Sequence, residues 1–361
     1  MVNAMTDALL PAALPLKIGD RRLAPGWPTL VIAEIGVNHD GSVERALDLV
    51  AAAADAGADA VKLQLFTAAG LMNAASDFAG YQRDRVADAD PAAMLRRYEL
   101  SPADVATVVA EIRRRGLLPI ATPFSPADVV AVGELGLPAV KIASPDLVNR
   151  PLLSCVSQLG VPVLASTGAA TLDEVSRTCG WLRKGRVPFA LLHCVSSYPV
   201  DPEDANLCWI GELAARFGVP VGYSDHTTDS MAGALAVAAG ATVVEKHLTY
   251  DRAAAGPDHS ASADPGQFAR YVALIRRAET LRGLPGKRVL AGEEDVRRVS
   301  RQSLVAARDL EPGQVVGSGD VTVQRPGTGI PAAEVTRAVG RRTIGPIRRG
   351  TLLTWDMLAA A

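Results

Sequence analysis

The sequence predicts a (β/α)₈ TIM barrel followed by a small β-rich domain, on three observations. Short apolar runs recur along the chain, and they are continuously apolar, as strands covered on both faces are. A helical pattern follows most of these runs, which implies parallel strands joined by right-handed crossovers. The phrases Asp55-Ala56-Gly57-Ala58-Asp59, Glu134-Leu135-Gly136-Leu137-Pro138 and Ala238-Ala239-Gly240-Ala241 each end a helix on a glycine just before the next strand. About eight such units are present, the number that closes into a barrel. An open doubly wound sheet is the alternative, but no GxGxxG follows the first strand.

Taken in order, the first strand is expected at 30–36 (LVIAEIG) after an irregular start, and Ser42 is placed to cap a helix over 42–56. Further strands are expected at 60–66, 117–123, 139–145, 162–168, 189–195, 220–226 and 242–248. Helical spacing falls at 102–115, 126–135, 151–159, 172–183, 206–217, 230–239 and 265–282. Near Leu284 the character changes. Residues 284–300 are rich in glycine and charge and read as a linker with room for a short helix, so the barrel domain is set at 1–283. In 301–361, short strands are expected at 303–307, 309–313, 321–324 and 344–350 between Gly- and Pro-bearing turns. A unit of about 60 residues holds little core, so docking on another surface would help it.

Composition narrows the partners. In 361 residues, 48% are hydrophobic, 21% are charged and the formal net charge is −2, which gives no general attraction to nucleic acid or to an anionic membrane. The stretch 8–16 carries two prolines and has no Lys or Arg before it, unlike a signal peptide, and the uncharged run 230–244 is too short to span a bilayer. Cys155, Cys179, Cys194 and Cys208 show no metal-finger spacing and suit free thiols in a reducing cytoplasm.

In a barrel, the residues that close each strand at the carboxyl face carry the chemistry. Here they are Glu34, Asn38 and His39; Lys62 and Gln64; Thr122; Lys141, Ser144 and Asp146; Ser166 and Thr167; His193, Ser196, Ser197 and Tyr198; Ser224, Asp225 and His226; Glu245, Lys246 and His247. Lys62 and Lys141 each interrupt an apolar strand, where an unpaired ammonium is costly. They read either as barrel-core ion pairs with Glu34 or Glu245, or as two cations for a small polyanion with Thr122, Ser144, Ser166 and Ser224 around it. A phosphate- and carboxylate-bearing substrate suits the second reading.

Two of the strands end on histidine, at His226 and His247, one helix plus one strand apart. If those strands are parallel neighbours, both imidazoles emerge at one sheet edge, where a divalent metal could join them. Two histidines with the other positions open suit Mn²⁺, or Mg²⁺ or Co²⁺, better than a closed structural zinc, and such an ion polarises a carbonyl. His193 reads equally as a packed core residue. Asp258 and His259 lie on a Gly/Pro loop after the last strand, as substrate contacts or as a solvated turn.

These residues resemble the sialic acid synthase family, whose members condense phosphoenolpyruvate with an N-acetylated hexosamine. The matching motifs are Ile32-Ala33-Glu34-Ile35-Gly36 with Asn38-His39, Val61-Lys62 with Gln64, Ala121-Thr122-Pro123-Phe124, Lys141-Ile142-Ala143-Ser144, Ser166-Thr167-Gly168, Ser224-Asp225-His226, Glu245-Lys246-His247 and Gly256-Pro257-Asp258. Arg325-Pro326-Gly327-Thr328-Gly329-Ile330 is similar to the family's antifreeze-like (SAF) domain. The resemblance implies metal ligation by His226 and His247, and phosphoenolpyruvate binding by Lys62, Thr122, Lys141, Ser144, Ser166 and Ser224. It implies Glu34 as the catalytic carboxylate and Gln64, Asp146, Ser196, Tyr198 and Asp258 around the sugar. Arg325 would reach the N-acetyl group from the other chain of a domain-swapped homodimer. Ser196 and Asp146 are shorter than the Asn and Glu of the better-known sialic acid synthases, which leaves room for a bulkier acceptor of the legionaminic or pseudaminic kind. A related enzyme acting on phosphorylated aldoses is the nearest rival, supported by Arg83, Arg85, Arg96 and Arg97; a non-catalytic carbohydrate-binding protein is the other.

Overall fold

In the computed structural model, which describes residues 15–73, 76, 90–284 and 286–359, a hairpin of β1 (Leu16–Ile18) and β2 (Arg21–Leu23) precedes eight longer-range strands. These are β3 (Leu30–Glu34), β4 (Ala60–Leu65), β5 (Leu118–Pro123), β6 (Val140–Ile142), β7 (Val163–Ser166), β8 (Phe189–Cys194), β9 (Val221–Asp225) and β10 (Val243–His247). All pair in parallel and close as β10-β3-β4-β5-β6-β7-β8-β9, so the first and last strands of the series meet. The fold is the TIM barrel that the sequence predicts.

Side chains alternate between the two faces of each strand, and this alternation divides the molecule into layers. Leu30, Ile32, Ala60, Ile120, Ala139, Leu164, Ala190, Leu192 and Val243 point inward and fill the amino-terminal half of the barrel, with Leu16, Ile18 and Leu23 of the hairpin packed among them. The residues between them, such as Val31, Val61, Val163, Leu191 and Val244, face the surrounding helices. Both faces are therefore covered, which is why the strands read as unbroken apolar runs. The hairpin itself was not anticipated. Its strands are short and half charged, and the only signal is Gly19 at positive φ in the turn.

Many of the helices begin where a short polar side chain satisfies an orphan amide of the first turn. Ser42, Ser101, Ser125, Asn149, Thr171 and Asp264 accept from backbone amides at the starts of helices Val43–Asp55, Pro102–Arg114, Pro126–Glu134, Arg150–Val156, Leu172–Lys184 and Pro265–Arg282. None of the described helices is long and apolar enough to cross a membrane.

The chain divides into two compact units after Leu284. The expected linker contains the helix Glu294–Ser300, within the second unit. There β11 (Ser303–Ala306) pairs antiparallel with β12 (Val321–Gln324). The strands expected at 309–313 and 344–350 instead meet at one isolated bridge, Leu310 with Ile347, because the turns between them interrupt any longer ladder. This unit has a core of its own, built from Leu304, Leu310, Val316, Ile330, Ile347 and Leu353 among others.

Candidate active site

Above the apolar layer, the same inward positions become polar. Two residues beyond Ile32 is Glu34, two beyond Ala60 is Lys62, two beyond Ile120 is Thr122, and two beyond Ala139 is Lys141. Ser166, Cys194, Ser224 and Glu245 follow by the same count on β7 to β10. A ring of buried polar groups thus sits on the barrel axis at its carboxyl end.

The charges in this ring are linked. Lys62 forms an ion pair with Glu34, its register partner on β3, and lies 3.4 Å from Glu245. Lys141 approaches Glu245 at 3.7 Å, Ser224 Oγ donates to Glu245 Oε1 at 2.9 Å, and Lys62 Nζ donates to Thr122 Oγ1 at 3.2 Å. Lys62 and Lys141 thus pair with the two glutamates, as the ion-pair reading of the sequence expects.

The two carboxylates are driven apart. Burial raises Glu34, Lys62 opposes this and Glu245 reinforces it, and the result lies above the ordinary glutamate value. Burial also raises Glu245, but Lys141, Lys62 and Ser224 outweigh it and hold that carboxyl at about 2. Burial lowers Lys141 more than Glu245 restores it, whereas Glu245 and Glu34 keep Lys62 above its usual range. Glu34 is thus the more readily protonated of the two carboxylates, and Glu245 keeps its negative charge. Sequence reading named Glu245 among the strand-end residues and as a partner for the lysines, but did not place it at the centre of the charge network. The period of two counted back from His247 was the available signal.

His226 and His247 meet at the end of β9 and β10, with ring centroids 5.5 Å apart. His226 Nδ1 donates to the Val195 carbonyl at 3.0 Å, which leaves Nε2 with the lone pair. His247 Nδ1 is buried without a hydrogen bond, with Asp258 Oδ2 at 3.7 Å, and burial, His226 and Lys62 hold the ring well below its usual pKa. Burial lowers His226, but Cys194 at 3.8 Å, the Val195 carbonyl and Glu245 more than reverse it. Among the described residues no group of three or more His, Cys, Asp or Glu side chains has metal-holding geometry. Two imidazoles, one with its tautomer fixed and one with an orphaned buried nitrogen, are the donors available to a divalent ion, and they fit an open two-nitrogen site.

Several of the remaining predicted residues of the barrel unit lie near this centre. Tyr198 stacks on His226 at 4.0 Å and meets His247 edge-on at 5.9 Å. Ser144 Oγ lies 3.5 Å from Cys194 Sγ and accepts from the Gly168 amide at 3.0 Å. A Cβ at Gly168 would collide with Ser196, Ser144 and Cys194 together, so only glycine lets these three converge. Ser166 Oγ is buried and makes no hydrogen bond. Gln64 packs where a side chain on Gly36 would go, beside Glu34. Asp146 is half-buried, accepts from Asn149 at 2.9 Å and is raised by burial. Arg325 is exposed on the second unit.

Several strand-end residues do not join the ring. His193, Asp225 and Lys246 occupy the alternate positions and face the helices. His193 stacks on Tyr223 and Trp209 and bonds the Ala205 carbonyl at 2.8 Å, which decides for the packed core reading. Asn38 donates to the Leu248 carbonyl and Ser262, holding loops together. His259 is buried between Thr249 at 2.7 Å and Asp40 at 3.0 Å, and so is committed to the loop rather than to a substrate. Arg83 and Arg85 lie outside the described residues.

Comparison with known proteins gives one family. The NeuB family model matches residues 49–287, and the SAF domain model matches residues 301–359. N,N'-diacetyllegionaminic acid synthase of Legionella pneumophila is 36% identical over 340 residues, covering 91% of this chain and 94% of that protein. A protein of Methanocaldococcus jannaschii is 36% identical over 344 residues, covering 95% of this chain and 98% of its own length. Among solved structures, N-acetylneuraminic acid synthetase of Leptospira borgpetersenii, in complex with citrate, aligns with a TM-score of 0.71 at 31% identity, covering 79% of this chain and 95% of that one.

Proposed function

Because this chain belongs to the NeuB family and carries a SAF domain, we propose that it condenses phosphoenolpyruvate with an open-chain 2-acetamido sugar, releasing phosphate and forming a nonulosonic acid. The observation that carries this reading is the buried set Glu34, Lys62, Lys141 and Glu245, on the same inner face as His226 and His247. Two ammonium groups and the hydroxyls of Thr122, Ser144, Ser166 and Ser224 match the phosphate and carboxylate of phosphoenolpyruvate, and Ser166 has an idle hydroxyl to offer.

The roles of the residues follow from their charges. The lysines hold the enol phosphate so that its methylene carbon faces the aldehyde carbon of the sugar, and attack forms the C–C bond. The aldehyde oxygen takes up a proton from solvent as it becomes a hydroxyl, and the former enol carbon, now oxocarbenium-like, is captured by water. Glu34, whose pKa is raised, accepts the proton that this water gives up. Collapse of the tetrahedral carbon expels phosphate and leaves the keto group. His226 and His247 would hold a divalent ion, best Mn²⁺ with Mg²⁺ or Co²⁺ as alternatives, and such an ion supplies Lewis-acid polarisation of the aldehyde.

The finer assignments extend this proposal. Gln64, Asp146, Ser196, Tyr198 and Asp258 surround the acceptor, either N-acetylmannosamine or a sugar with a further acylamino group. The short Ser196 and Asp146 side chains and the legionaminic acid synthase relative support the bulkier sugar. Arg325 of the partner subunit would complete the pocket in a domain-swapped homodimer. Four unpaired cysteines support a reducing, cytoplasmic setting. The test is phosphate release from phosphoenolpyruvate and 2-acetamido sugars by wild type and His226→Ala. Loss of turnover in the variant supports the reading, and equal rates overturn its metal half.

A further inference from the structure

The residue before each histidine points the other way, toward the helices. Asp225 and Lys246 are register partners on β9 and β10, both buried, and Lys246 Nζ donates to Asp225 Oδ2 at 2.9 Å. The same ammonium donates to the Thr227 carbonyl at 2.6 Å, so it holds the chain on both sides of His226. Thr227 returns its backbone amide to Asp225 Oδ1 at 2.8 Å. Tyr271, on the helix Pro265–Arg282, donates its hydroxyl to Asp225 Oδ2 at 2.7 Å, and its ring lies 5.1 Å from Lys246 Nζ. Gly233, on the helix Ala232–Ala238, makes room for it, because a Cβ there would overlap the Tyr271 ring.

We propose that Asp225, Lys246 and Tyr271 are positioning residues for the two histidines, a clamp on the outer face of the barrel that fixes how the imidazoles enter its centre. This inference rests on the two-histidine metal reading. β9 ends at Asp225, so His226 is the first residue past the strand and depends on whatever holds that strand end. Bulk stability is a weak reason for the pair, since a buried ion pair can often be replaced by apolar residues without loss. What it provides is geometry. A strand side chain has only two faces, and small shifts at the ladder's end move a ligand nitrogen by more than a metal tolerates. Asp225 and Lys246 are each one residue from a histidine, and the hydrogen bond between them, braced by Tyr271, ties the end of β9 to β10.

The test uses the full-length protein stripped of metal, with Mn²⁺ alone as the probe, titrated calorimetrically or by the loss of its free-ion resonance. The variants are Tyr271→Phe, Lys246→Met and His226→Ala, with Arg276→Met as a control. Arg276 makes a comparable ion pair with Asp59 near the starts of β3 and β4, at 2.6 Å, away from the histidines. The clamp predicts that Lys246→Met and Tyr271→Phe weaken Mn²⁺ binding by about 10- to 100-fold, the range for residues that orient metal ligands. Arg276→Met should bind Mn²⁺ as wild type does even where its melting temperature falls as far. Should Lys246→Met fail to fold, Tyr271→Phe, which removes one hydroxyl, carries the test. If His226→Ala loses Mn²⁺ while both clamp variants keep wild-type affinity, the clamp alone is overturned. If His226→Ala binds Mn²⁺ normally, the two-histidine reading falls and the clamp with it.

Discussion

Glu34 and Lys62 stand opposite each other on β3 and β4 and form an ion pair inside the barrel, with both side chains almost wholly removed from water. Burial raises Glu34 above the ordinary glutamate value while Lys141, Lys62 and Ser224 hold Glu245 below it, so Glu34 is the carboxylate that gains a proton first as pH falls. An incoming phosphate would compete with both glutamates for the same ammonium, which ties substrate binding to the state of Glu34.

Replacing Glu34 by Gln keeps its shape and removes its charge, while Lys62 retains Glu245. The expected result is a fall in kcat of about 10²–10⁴-fold, the usual share of a general acid or base, with phosphoenolpyruvate affinity changed much less. Stopped-time phosphate release and calorimetric binding separate the two. Equal losses in both would assign Glu34 to binding instead.

The raised Glu34 pKa also sets a pH dependence. The proposed base is the carboxylate form, so activity is lost as pH falls through the Glu34 value, which lies above the ordinary glutamate value of 4.5. A profile of kcat/KM for phosphoenolpyruvate should bend on its acid side above that point. An acid limb retained in Glu34→Gln, on whatever activity remains, would belong to another group.

Ser166→Ala distinguishes a ligand hydroxyl from a structural one. Since Ser166 Oγ is buried without a partner, its removal forfeits no hydrogen bond. Stability in urea should stay level or rise by about 1 kcal/mol, while KM for phosphoenolpyruvate rises several-fold. A marked loss of stability would mean that the hydroxyl is bonded after all.

Lys62→Met should behave differently, because it leaves buried Glu34 without its ion-pair partner and Glu245 with Lys141 alone. Breaking a buried pair in this way costs about 3–5 kcal/mol, measurable by urea denaturation, in addition to lost phosphoenolpyruvate binding. Lys141→Met leaves Glu245 with Lys62 and should cost less stability for a similar rise in KM.

Treatment with EDTA followed by gel filtration should abolish phosphate release, and Mn²⁺ should restore it in wild type but not in His247→Ala. Full activity in the chelated protein would exclude a metal from the step.

Much of this was readable in the sequence because the barrel imposes a period of two. Continuous apolar runs broken by Lys62, Lys141 and Glu34 already marked the inner ring, and the glycines at helix ends gave the repeat. What the sequence reading lost was the side on which a residue falls. His193, Asp225 and Lys246 were grouped with the site by their place in the chain, although each is one position out of phase with it. The convergence of Ser144, Cys194 and Ser196 on Gly168 joins three different βα connections, and no local pattern encodes it. In the second unit the strands expected at 303–307 and 321–324 do form a ladder, but single bridges replace ladders in the other stretches, so neither periodicity nor length marks those.

The most direct measurement of the central claim is mass spectrometry of the product formed from phosphoenolpyruvate, Mn²⁺ and a panel of 2-acetamido sugars and phosphorylated aldoses. The account predicts a nonulosonic acid containing the whole acetamido sugar plus the three carbons of phosphoenolpyruvate, with one phosphate released per product. A product formed only from phosphorylated aldoses lacking the acetamido group, or no product from any sugar, would contradict it.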